Sequence, residues 1–234
     1  MTLPYPNHVQ SVPTSRRPHL DSGFFRLAGV VQALLGLMVL MQVALVVADW
    51  YYLGLADRLI DTPRRVPFED LERFDTVSML TTFSYLGLLI LTGSAFISWL
   101  YKAHRSDRVD PDALEHKSFW AIIGWFVPIM NLFRPTQMIS DTRRGADLFS
   151  VTPVFQPYWW AAYLLGTFGG RIVGGLWPTG DEPGLRTFGE KLKVAAWVEL
   201  SFGVVNIVGA VLAILVVREI TARLRDAPLG LRVD

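Results

Sequence analysis

Two ionisable residues, Arg171 and Glu199, lie deep inside long apolar stretches of this 234-residue chain. Arg171 stands six residues before Trp177, and Glu199 five residues after Val194. At about 1.5 Å of helical rise per residue, both sit roughly 8–9 Å below the same end of their stretches. An unpaired charge at the centre of a bilayer costs at least about 2.5–3.5 kcal/mol. Matched depth and opposite sign therefore predict a buried Arg171–Glu199 ion pair. The competing reading is that each side chain snorkels to the nearby interface. A structural pair outranks a transport site, because two charges alone do not make a pathway.

Other residue types with chemical potential are sparse or misplaced. His8, His19, His104 and His116 all fall in polar segments, which argues against axial ligation of a membrane haem. His104 and His116 flank Asp107, Asp110 and Asp112, which read as a solvated loop; no metal site and no cofactor is expected. The chain has no cysteine, which excludes disulfides, thiolate metal sites and a cysteine nucleophile. No H-E-x-x-H, G-x-S-x-G or phosphate-binding loop occurs, so no catalytic residue is assigned. A net charge of +1 offers no basic face for nucleic acid.

The elements that carry these residues are apolar helices. Hydrophobic residues make up 51% of the chain and charged residues 18%, with the charges gathered between apolar runs. Leu27–Trp50, Val77–Tyr101, Tyr158–Trp177 and Val194–Val217 each reach the roughly 20 residues that cross a hydrocarbon core. The fold expected is an all-α membrane protein with four transmembrane helices plus a short Pro-broken re-entrant or interfacial helix. That fifth stretch, Phe119–Phe133, would extend roughly 22 Å as helix, short of the core, and it contains Pro128 and Asn131. Asp110 as N-cap and Pro111 at the first position predict one helix from Pro111 to about Met130. A polar helix should follow from Pro135 to about Leu148, carrying Arg143 and Arg144.

Residues 1–26 read as a disordered cytoplasmic tail, 27–225 as the helical membrane domain and 226–234 as a short C-terminal tail. The first apolar run is too long for the core of a signal peptide and no A-x-A site follows, so it is expected to stay in the mature protein. If Phe119–Phe133 re-enters, both termini and both central stretches share one side, with 14 Lys and Arg against 7 on the other. If it crosses, the bias vanishes. The first arrangement obeys the positive-inside rule and places both termini in the cytoplasm.

Gly166, Gly170 and Gly174, spaced i, i+4, i+8, strip one helix face of side chains, the device that lets two membrane helices approach closely. Whether the partner is another helix of this chain or of a second copy is open. Lys102, Arg105, Arg108, Lys117, Arg134, Arg143 and Arg144 make the central stretches basic, suited to anionic lipid headgroups at the cytoplasmic face or to topology signalling alone.

Two motifs occur together: WLYKAHR at Trp99–Arg105, with Tyr101 inside it, and GWFVPIMNLFRP at Gly124–Pro135. The second places Trp125, Pro128, Asn131 and Arg134 at fixed spacing. With Trp159–Trp160 and VVREITAR at Val216–Arg223, this pattern resembles the bacterial membrane family catalogued as domain of unknown function 4328. Lys102, Ser106 and Thr136 depart from the pattern, standing where Arg, Asn and an aromatic are expected. The resemblance implies a multi-pass protein of the bacterial plasma membrane and no assigned activity. From the residues themselves, the leading expectation is a membrane interaction or regulatory protein whose partners are the bilayer and a second copy or another protein. The alternatives are a small transporter or channel using Pro128–Asn131 and, last, a lipid-modifying enzyme.

Overall fold

The computed structural model describes residues 19–227, and within them regular structure is entirely helical. Most of the N-terminal tail, and residues 228–234, lie outside the described residues. Helix α1 runs over Ser22–Asp61, opened by the Asp21 carboxylate, which accepts from the backbone N–H of Phe24 at 3.0 Å. It therefore starts five residues before the expected boundary at Leu27 and ends where Pro63 forbids continuation. Helix α2 covers Phe68–His104, with Glu69 and Asp70 at its positive N-terminal end.

Between α2 and the next long helix the chain is compact and irregular. Asp110 caps only a 3-10 turn, Pro111–Ala113, rather than the long helix predicted from it. Helix α3 is the four residues Trp120–Ile123, and a second 3-10 turn spans Met130–Leu132. Pro128 supplies no amide hydrogen, and Gly124 and Pro135 sit on either side of it, so the helix cannot propagate. Helix α4, Arg134–Ala146, matches the expected polar helix and begins on Pro135. Helix α5 is Phe155–Leu176 and α6 is Leu185–Asp226.

Three helices, α1, α2 and α6, are long and apolar enough to cross a membrane. At 22 residues α5 is also long enough, but Gln156, Arg171 and its glycines dilute its apolarity. Helix α1 packs along α6, α5 lies on α6 as well, and α2 rests on α1. Residues 105–154 stay at one end of this bundle: Gln156, at the start of α5, donates to Ser140 at 2.8 Å, and Phe96, near the end of α2, meets Trp159. Both ends of the described chain are at that end too, where Arg225 of α6 lies over Phe25 of α1.

Two cores bracket the bundle. At the end just described, Phe24, Val31, Trp99, Met138, Val216 and Ile220 are fully or almost fully buried. At the other end Tyr52, Leu55, Leu59, Phe74 and Leu192 form a second core. This second core is built from helix beyond the apolar runs, since α1 continues past Trp50 to Asp61 and α6 begins at Leu185, before Val194. The α5–α6 turn is pinned by Glu182, which accepts from the N–H groups of Thr179 and Gly180 and from Lys191. The Lys191 ammonium holds the Glu182 carboxyl down at about 2.

Candidate functional site

Between the two cores the four long helices part around a cavity of about 360 Å³. Its α1 wall runs from Gln42 to Tyr52, ten residues and so about 15 Å along the bundle. Helix α2 contributes hydroxyls, from Ser78, Thr81, Thr82 and Tyr85. Helix α6 contributes Glu199, Phe202, Gly203 and Asn206, and α5 contributes Gly166, Gly170, Val173, Gly174 and Trp177. The end nearest the α5–α6 turn is closed by aromatic rings: Tyr52 packs edge-on to Phe74 and Trp177, and Phe74 to Phe188.

Polar atoms are turned into this space without protein partners. Gln42 is 4% exposed, lines the cavity, and its side chain makes no hydrogen bond to another described residue. Glu199 leaves Oε2 buried and unpartnered, with the Trp177 side chain as its hydrogen-bonding neighbour. Asp49 of α1, 2% exposed, does not line the cavity itself, but it keeps Oδ2 unpartnered and lies within electrostatic reach of Glu199. Neither acid belongs to an ion pair; those among the described residues all lie elsewhere. Carboxyls in an apolar bundle keep a charge only where something compensates it, and a cation entering this space would do so.

The predicted Arg171–Glu199 pair is therefore not formed. Arg171 follows Gly170 by one residue, a rotation of about 100°, so Gly170 faces the cavity while Arg171 points to the outside of the bundle. There its guanidinium lies 5.8 Å from the centre of the Phe168 ring. The glycine face also differs from expectation. A Cβ added at Gly170 or Gly174 would meet nothing within 4 Å, and both residues line the cavity. Close approach to α6 occurs at Gly169, where a methyl group would run into the Phe202 ring, and at Gly166, which makes room for the Asn206 amide. Asp49 and Gln42 escaped sequence reasoning: Asp49 looked like the polar end of its run beside Trp50, and Gln42 carries no charge.

The WLYKAHR and GWFVPIMNLFRP motifs sit at the opposite end and build a clasp. Trp99 is fully buried and its indole donates to Thr221 at 3.3 Å, while the Tyr101 hydroxyl accepts from Arg105. A Cβ at Gly124 would lie 2.6 Å from the Trp120 carbonyl oxygen and 2.9 Å from Arg134 Cβ, so only glycine fits that turn. Trp125 donates to the Ala121 carbonyl at 3.1 Å and packs on Phe96 and Tyr163. Arg134 lies 5.0 Å above Trp120, a cation–π contact, and donates to Gln137. The Asn131 amide N–H closes the turn around Pro128 onto the Val127 carbonyl, and Pro135 is buried at the start of α4. None of Pro128–Asn131 lines the cavity. The model of the family described as a domain of unknown function (DUF4328) matches residues 62–222, more than half of the chain. The chain belongs to this family. No curated protein and no solved structure matches it.

In this DUF4328 protein the clasp is locked by charge. Arg143, 1% exposed, donates from Nε and Nη2 to Glu219 at 3.0 Å each, and Arg223 bonds both Glu219 and Asp147. Arg144 joins Asp141 to Glu115, and its guanidinium holds the Glu115 carboxyl below the ordinary carboxylate range. Glu115, His116 and Asp141 each bring one metal-ligating atom within 4.8 Å of the others. Asp141, however, already accepts from the His116 ring and backbone and from Arg144, which suits a closed knot of ion pairs better than a metal centre.

Proposed function

We propose that this chain binds a small positively charged solute inside its membrane helix bundle, as a carrier or as the sensing part of a regulatory protein. The observation that carries this reading is the cavity between α1, α2, α5 and α6, lined by Gln42 and by Glu199 with its unpartnered Oε2, and with the unpartnered Asp49 within electrostatic reach of Glu199. Each buried polar group without a partner costs about 1–3 kcal/mol, and a carboxylate more. A cation with hydrogen-bond donors would relieve these costs together.

The reading is tested on detergent-purified protein by thermal melting with tetramethylammonium chloride, dodecyltrimethylammonium chloride or sodium chloride. A ligand at about a hundredfold over its Kd stabilises by about 2.7 kcal/mol, which raises Tm by about 5–10 °C in a chain of this size. The ammonium salts should give such a rise in the parent and not in Glu199→Gln. Identical melting in all three salts would sink the solute-binding reading. Uptake into proteoliposomes then separates carrier from sensor.

In the membrane, we place α1, α2, α5 and α6 as four spans, with residues 105–154 as an interfacial segment on the cytoplasmic face of a bacterial plasma membrane. The charge bias of 14 against 7 supports that orientation. Lys102, Arg105 and Lys117, all exposed, then face anionic headgroups. Because the chain is free of cysteine, single cysteines report sidedness directly. In intact cells a membrane-impermeant maleimide should label Thr179→Cys and spare Asp112→Cys, Thr152→Cys and Asp226→Cys, all at exposed positions. Labelling at Thr152→Cys from outside would mean that the segment crosses.

A further inference from the structure

The side walls of the cavity are unequal. Helix α1 is packed along α6, and α5 along α6, but α2 and α5 meet through aromatic rings near their two ends. Phe74 stacks near Trp177 at one end and Phe96 near Trp159 at the other, each pair with ring centres 6.0 Å apart. Between these pairs α5 offers glycine and α2 offers hydroxyl groups. Gly170 and Gly174 of α5 and Thr82 of α2 line the cavity and are exposed. The exposed flank of the cavity is thus formed by α2 and α5, and in the four-span placement proposed above that flank lies at the depth of the lipid. Toward the α5–α6 turn the cavity is closed by the aromatic rings and by the core of Leu55, Leu59 and Leu192 above them.

From this geometry we infer that the solute enters from the lipid, through a gap between α2 and α5, and is the ammonium head of an amphiphile whose apolar tail stays in that gap. The inference rests on the solute-binding reading and names its substrate class. Glu199 lines the cavity, with Asp49 of α1 within electrostatic reach of it, and an entering ammonium would compensate the charge of these carboxyls; the rings of Trp177 and Tyr85 line the same space, and aromatic rings attract alkylammonium groups. Arg171 points away from the cavity, so no cation faces it that would favour the phosphate of a zwitterionic phospholipid. A volume of about 360 Å³ lies within the range that holds a small organic head and its first carbons. Single-tailed amines and quaternary ammonium compounds match this description, and two-tailed phospholipids do not.

The test uses the full chain in lipid nanodiscs and radiolabelled dodecyltrimethylammonium, counted over empty nanodiscs. Binding should be saturable and about tenfold weaker or worse in Glu199→Gln, the size of effect that losing one favourable charge contact produces. Tetramethylammonium should compete about a hundredfold less well than the amphiphile, because it gains nothing from the gap. Thr82→Trp, at the exposed rim, should slow association about tenfold while leaving the melting temperature unchanged. Phosphatidylethanolamine in the nanodisc should not displace the amphiphile; displacement would assign the site to a phospholipid head and overturn the substrate class. If tetramethylammonium binds as tightly as the amphiphile and Thr82→Trp has no effect, the solute comes from water. That result overturns lipid access and leaves solute binding standing. Absence of saturable binding by either cation, with Glu199→Gln indistinguishable from the parent, would remove both.

Discussion

Replacing Arg143 with methionine should lower the stability of the bundle by about 3–5 kcal/mol, a fall in Tm on the order of 10 °C. Arg143 is 1% exposed and donates three hydrogen bonds to Glu219, at 3.0–3.2 Å, fixing α4 to α6 across 76 residues of sequence. Methionine keeps the length of the side chain and removes the charge, so Glu219 loses its most buried partner. Part of the loss is softened because Glu219 is 17% exposed and keeps Arg223. Glu219→Gln should cost more than Arg143→Met, since it weakens the hold on two guanidinium groups, one of them without access to water. In the double variant no buried charge is stranded at Arg143, so the combined loss should fall below the sum of the singles by about 1–3 kcal/mol. Melting curves of the four proteins decide it. Simple additivity would show that the guanidinium and carboxylate do not interact and that α4 is held by its apolar residues Met138 and Ile139 alone.

The apolar stretches were legible because hydrocarbon tolerates so few residue types: α1, α2 and α6 contain the predicted runs at Leu27, Val77 and Val194. Their extensions were not, because beyond Trp50 the helix continues on helical spacing rather than on bulk hydropathy. Tyr52, Leu55, Ala56 and Leu59 recur at i, i+3, i+4 and i+7, and all are buried. That periodicity was present in the chain and would have extended α1 over Asp57 and Arg58. The long helix expected from Asp110 fails for a different reason. A capping residue and a proline start a turn, but only apolar spacing on one face sustains it, and Glu115–Ser118 provides none. The ion pair of Arg171 and Glu199 was inferred from depth, and depth does not determine azimuth. One residue of rotation sends Arg171 outward and leaves Glu199 at the cavity without it. The motif residues were recognisable as a pattern, whereas their roles as a glycine turn, a cation–π clasp and a proline start needed the contacts themselves.

The same rotation separates two adjacent glycines and gives the sharpest test of the cavity. Gly169→Leu should destabilise the protein, and Gly170→Leu should not. At Gly169 even a methyl group would run into the Phe202 ring, which is held between α5 and α6. Forcing extra carbon into a packed contact costs about 1–3 kcal/mol, and leucine adds three more carbons beyond that methyl, so a fall in Tm of about 5–10 °C is expected. At Gly170 an added Cβ meets nothing within 4 Å, and the residue lines the cavity and is exposed. Leucine there also favours helix over glycine by up to about 1 kcal/mol, so Tm should hold or rise slightly. Its side chain would nonetheless occupy the space below Trp177, and the ammonium-induced rise in Tm should fall by more than half. Gly170→Ala, which intrudes less, should keep most of that rise. Melting the three variants with and without dodecyltrimethylammonium distinguishes the possibilities. Equal destabilisation at Gly169 and Gly170 would mean that a helix packs on the Gly166–Gly170–Gly174 face after all, and that no solute cavity lies behind it. Destabilisation at Gly169 alone, with the ammonium response lost at Gly170, identifies the glycines as the wall of a binding chamber.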